Sequence, residues 1–140
     1  MTIMAKDHFS RTMLGALCSV SLIAAATQVT ATEDDNFFTH LHTDKAMANV
    51  TVSPGRAGPV DITIQLETVD EHPLQAKAVS VRLSSTKAGV KAQTITATKT
   101  SDSEWHVQTS LPVQGRWMLG LGILISDADK VDVEAPILVK

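Results

Sequence analysis

Apolar and polar residues alternate with a period of two over most of the chain beyond residue 45. Ala46, Ala48, Val50 and Val52 share one side of an extended segment, and Met47, Asn49, Thr51 and Ser53 the other. Pro54-Gly55-Arg56-Ala57-Gly58-Pro59 then reads as a turn, because its two glycines can take positive φ and its two prolines cannot join a central ladder. Val60, Ile62, Ile64 and Leu66 alternate with Asp61, Thr63, Gln65 and Glu67, the most regular strand pattern of the chain. After a charged loop around Asp70-Glu71-His72-Pro73, a third strand points Val79, Val81 and Leu83 inward. The threonine-rich segment from Val90 to Thr100 predicts a further strand. Next, Trp105 and Val107 point inward, as do Trp117, Leu119, Leu121, Ile123 and Ile125, while Met118 shares the opposite face with Gly120 and Gly122. A final strand runs from Val131 to Val139, its Pro136 suited to an edge.

Seven short strands, turn signals about every ten residues and no helical periodicity predict an all-β fold, an immunoglobulin-like β-sandwich. The cysteine and tryptophan pattern of antibody domains is absent, and both tryptophans read as core.

The first part of the chain breaks this pattern. Lys6 and Arg11 precede an apolar run from Met13 to Ala26, too short to span a bilayer comfortably, and Val29-Thr30-Ala31 supplies small or short residues at a cleavage site. Residues 1–31 therefore read as a signal peptide, which predicts a periplasmic or secreted protein. Cys18 lies inside the apolar run behind Leu17, too large for the usual lipid-attachment site. Residues 32–45 read as an N-terminal arm opening on Glu33, Asp34 and Asp35, and residues 46–140 as the sandwich domain.

Removing the leader leaves 109 of the 140 residues and no cysteine, so neither a disulfide nor a thiolate metal site is available. The remaining 10 basic and 14 acidic residues argue against nucleic acid or an anionic membrane surface as the main partner. No segment after the leader has the length of a transmembrane helix.

Candidate chemistry concentrates in His40-Leu41-His42-Thr43-Asp44-Lys45-Ala46-Met47. In extended backbone His40 and His42 project to one side, where they can share a metal ion. Met47 has the opposite parity, so joining them requires a bend at Thr43-Asp44-Lys45, a polar segment suited to a turn. Imidazole suits copper, zinc and nickel, and a thioether tips the choice toward copper, particularly Cu(I). The alternative is two solvated histidines near a chain end. His72, alone beside a proline, reads as a solvated loop residue. No glycine-rich phosphate loop, nucleophile elbow or zinc-cysteine motif occurs, and the carboxylates fall in turns, so no catalytic residue or enzymatic activity is expected.

The run His40-Leu41-His42-Thr43-Asp44-Lys45-Ala46-Met47-Ala48-Asn49-Val50-Thr51-Val52-Ser53-Pro54-Gly55-Arg56-Ala57-Gly58-Pro59 resembles the start of the YtkA-like domain, the C-terminal extracytoplasmic domain of CopD/YcnJ-type copper transport proteins. Pro112-Val113-Gln114-Gly115-Arg116-Trp117 and Ile123-Leu124-Ile125-Ser126-Asp127 resemble its later landmarks, and the likeness extends over about residues 37 to 140. It implies an immunoglobulin-like sandwich and a role in periplasmic copper handling, with His40, His42 and Met47 as the matching candidate ligands. CopD-type members carry a multi-span membrane domain ahead of this module, whereas here a signal peptide is expected. The expected function is thus a copper-binding module that buffers copper or delivers it to a membrane transporter or other envelope protein. A non-enzymatic sandwich that binds an envelope protein and has no metal role is the competing expectation.

Overall fold

The computed structural model describes residues 35–140, so the expected signal peptide lies outside the described residues. Among the described residues, nine strands form two antiparallel sheets. They are β1 (Phe37–His42), β2 (Met47–Ser53), β3 (Gly58–Glu67), β4 (Ala78–Ser85), β5 (Gln93–Thr96), β6 (Thr98–Lys99), β7 (Glu104–Leu111), β8 (Gly115–Leu124) and β9 (Lys130–Val139). One sheet has the order β1-β2-β3-β7-β6 and the other β5-β4-β8-β9. The expected all-β sandwich is the observed architecture, and among the described residues no helix is long and apolar enough to cross a membrane.

Two features raise the strand count above seven. Phe37–His42, expected within the arm, is a full edge strand paired with β2 from Phe37↔Val52 to His42↔Met47. The segment expected as one strand over 90–100 divides at Ala97, so that β5 pairs with β4 in one sheet and β6 with β7 in the other. Ala97 is buried at this crossing, and its N–H donates to Val79 O at 2.8 Å.

The core lies between the sheets and is built from the alternating positions. Val50, Val52, Ile62, Ile64 and Leu66 face Val79, Val81, Leu83, Leu119 and Leu121, all fully or nearly fully buried. Trp117 is 0% exposed, and its indole Nε1 donates to Val113 O at 3.0 Å, which satisfies the one polar group such a ring carries into a core. Trp105 is also buried.

Loop contacts tie the start of β1 to the end of the chain. Gly55 N donates to Asp35 O, Lys140 N donates to Gly55 O at 2.9 Å, and Ala57 N donates to Lys140 O at 2.8 Å. The Lys140 ammonium adds an ion pair with Asp35 at 3.0 Å. A Cβ on Gly55 would stand 2.8 Å from Asp35 O, so only glycine lets the two backbones come this close.

Candidate functional site

The turn expected at Thr43 to Lys45 is present and closes the β1–β2 hairpin. Thr43 N donates to Ala46 O at 2.9 Å. The Thr43 hydroxyl donates to Ala46 O at 2.8 Å and accepts from the N–H groups of Ala46 and Lys45 at 2.9 and 3.2 Å. A threonine side chain thus supplies the hydrogen bonds that a polar tight turn needs. Lys45 extends from the same turn to Asp129 at 2.7 Å, joining the hairpin to the β8–β9 turn of the other sheet. That hydrogen bond, with the Asp129 charge behind it, raises the Lys45 pKa above the usual lysine value.

Because the chain reverses there, residues of opposite parity meet on one face. His42 lies directly across from Met47, and His40 directly across from Asn49. The inward residues of the same strands are Leu41, Ala48 and Val50, so His40, His42 and Met47 all project from the outer face of the sheet. The register therefore sets the three candidate ligands on one face of the hairpin. The imidazole centroids are 6.0 Å apart, with ring planes inclined by 59°. Metal–nitrogen bonds near 2.0–2.1 Å place two imidazole centroids on one ion about 5 Å apart at a tetrahedral angle and about 6 Å apart at a wide one. The observed separation falls within that range.

His40 is further oriented by Asn49, whose side-chain oxygen lies 2.6 Å from its Nδ1. An amide oxygen only accepts, so this contact suits the tautomer with the proton on Nδ1, in which Nε2 is the nitrogen able to take a metal. This outer-shell arrangement is typical of metal-ligating histidines.

Met47 departs from expectation in one respect. It was expected on the surface with the histidines, yet it is 5% exposed, whereas His40 and His42 are exposed. Its burial is not core packing, because its parity is opposite to that of Ala48 and Val50. It occupies an inner strand, flanked in register by His42 on β1 and Glu67 on β3. The segment after β3 also folds back, with Leu74 N donating to Leu66 O and Pro73 bridging to Glu67. An inner-strand side chain with neighbours on both sides loses its solvent even on an outer face.

The other described histidines, His72 and His106, stay apart from this group. His72 is exposed in the loop after β3, and His106, on β7, lies 3.4 Å from Asp61. Among the described residues no cluster of three or more histidine, cysteine or acidic side chains is arranged to hold a metal ion. Any metal on this face would meet two imidazoles and one thioether, a donor set that suits copper better than magnesium or calcium. The carboxylates of the last turn are engaged elsewhere, Asp127 with Lys77 at 2.8 Å and Asp129 with Lys45.

No family model and no curated protein matches the chain. Two similar solved structures are an engineered protein and a Br derivative of BhCBM56. The first has 13% identity and a TM-score of 0.47 and covers 66% of this chain and 20% of its own. The second has 15% identity and a TM-score of 0.44 and covers 71% of this chain and 99% of its own. At these scores neither likeness bears on function.

Proposed function

We propose that this protein is an extracytoplasmic copper-binding module of the periplasm or secreted space, which buffers copper or passes it to a membrane transporter or other envelope protein. The observation that carries this reading is the register of the β1–β2 hairpin, which sets Met47 against His42 with His40 next on the same face. Two imidazoles and a thioether on neighbouring strands form a mixed hard–soft donor set with affinity for both copper oxidation states. The role is binding and transfer rather than catalysis, and copper is cargo.

Titration of the protein with Cu(I), Cu(II) and Zn(II) tests the proposal. Copper binding that is lost in the His40→Ala/His42→Ala double variant supports it. Binding in the parent that is no tighter than in the double variant removes it.

A further inference from the structure

The sandwich has four edge strands, and three are blunted. β5 has four residues and β6 two, while β9 carries Lys130, Asp132, Glu134 and Pro136. Short edges, charges and proline are the usual means of preventing one sheet from adding to another. The remaining edge, β1, is six residues of Phe-Phe-Thr-His-Leu-His with no charge, proline or bulge, and among the described strands it pairs with β2 alone.

The hairpin shows which backbone groups this edge presents. Thr43 and Ala46 close the turn as a hydrogen-bonded pair. Alternation then makes Leu41 and Thr39 bond to β2, and leaves the N–H and C=O groups of His42, His40 and Phe38 directed to the open edge. The residues with free backbone groups are thus the ones whose side chains stand on the outer face. Phe38, at the end of that row, is 63% exposed.

Resting on the copper-binding reading above, we propose that two copies of this chain pair antiparallel along β1 and hold one Cu(II) ion between their His40 and His42 side chains. A two-fold axis at Leu41 sets His40 opposite His42 of the second copy, both with edge-directed backbone groups as a hydrogen-bonded pair requires, with Cα atoms about 5.5 Å apart. All four imidazoles then project from the same face, and the two sheets continue into one. A single chain offers two imidazoles and a buried sulfur, whereas Cu(II) favours four nitrogen or oxygen donors in a tetragonal array. The second copy supplies the missing pair. No charged side chain on β1 opposes the approach, and this axis overlaps only residues 40–42 of the two strands, a small contact, so the ion is needed to hold the dimer.

Sedimentation velocity on the full chain, with copper sulfate added in steps, tests this. The expected result is a doubling of mass complete at one ion per two chains, reversed by EDTA and absent in His40→Ala/His42→Ala. Phe38→Asp sets a second carboxylate opposite Asp44 of the second copy, keeps both histidines, and should weaken dimerisation about tenfold while still binding copper. A parent chain that binds one copper per monomer without change of mass overturns the shared site and leaves copper binding standing. A mass doubling that persists in the double-histidine variant also overturns it, and the absence of any copper binding removes both proposals.

Discussion

Replacing Gly55 by alanine should loosen the strand that carries both histidines, although position 55 is remote from them in sequence. The added Cβ would lie 2.8 Å from Asp35 O, 3.1 Å from Phe37 N and 3.2 Å from Phe37 Cβ. Two of these atoms are backbone, so no side-chain rotation relieves the clash, and either the 54–57 loop or the start of β1 must shift. Overpacking of this kind costs about 1–3 kcal/mol. Gly55 does not have a left-handed φ, so alanine also narrows the unfolded ensemble and returns about 0.4–1 kcal/mol. The net loss is about 1–2 kcal/mol, a fall in Tm of about 5–10 °C for a domain near 100 residues. Calorimetry measures the fall, and hydrogen exchange locates it, with the Thr39 and Leu41 amides of β1 opening first. A Gly55→Ala protein that melts within about 2 °C of the parent, with unchanged exchange in β1, would refute the claim that this close approach secures the strand.

Three further substitutions separate the site from the fold. Met47→Leu conserves volume and should cost less than about 1.5 kcal/mol in a denaturant melt, while Cu(I) affinity measured by chelator competition falls relative to Cu(II). Asn49→Ala removes the side-chain partner of His40 Nδ1 and should weaken copper binding about tenfold, with the circular dichroism spectrum unchanged. Lys45→Met deletes the ion pair with Asp129. Since folding raises the Lys45 pKa, the stabilisation is complete below the ordinary value of 10.5 and disappears as pH rises through the higher folded value. The difference in denaturation midpoint between Lys45→Met and the parent should therefore shrink in strongly alkaline solution.

The core was legible because a half-buried strand imposes a period of two. Val60 to Glu67 and Trp117 to Ile123 follow it closely, and their inward residues are buried as expected. The edge strand was harder to read. Phe37-Phe38-Thr39-His40-Leu41-His42 sets one phenylalanine inward and one outward, so composition does not distinguish its faces, and its strand character depends on partnership with β2. The division at Ala97 was hidden because threonine-rich composition favours extended backbone without specifying which sheet receives it. The turn at Thr43 to Lys45 could be found from polarity, and with it the meeting of His42 and Met47. The burial of Met47 could not, because parity assigns a face, and depth depends on which strands lie on either side.

That burial changes what the methionine can contribute. On an inward face a methionine is filler, interchangeable with other apolar side chains. Met47 instead lies on the outer face, between His42 and Glu67 and diagonal to His40, with its thioether shielded from water while the imidazoles remain exposed. The hairpin that holds them is anchored at both ends, by the Gly55 and Lys140 contacts with Asp35 at the start of β1 and by the Thr43 turn with its Lys45–Asp129 pair at the other. Folding therefore orders the backbone that carries these side chains, so on the proposed role less entropy would be lost when an ion is bound. On the proposed copper-binding role, exposed imidazoles beside a shielded sulfur would suit an ion that must enter and leave readily, because nitrogen ligands at the surface could be exchanged for a partner's while the thioether kept a hold on Cu(I).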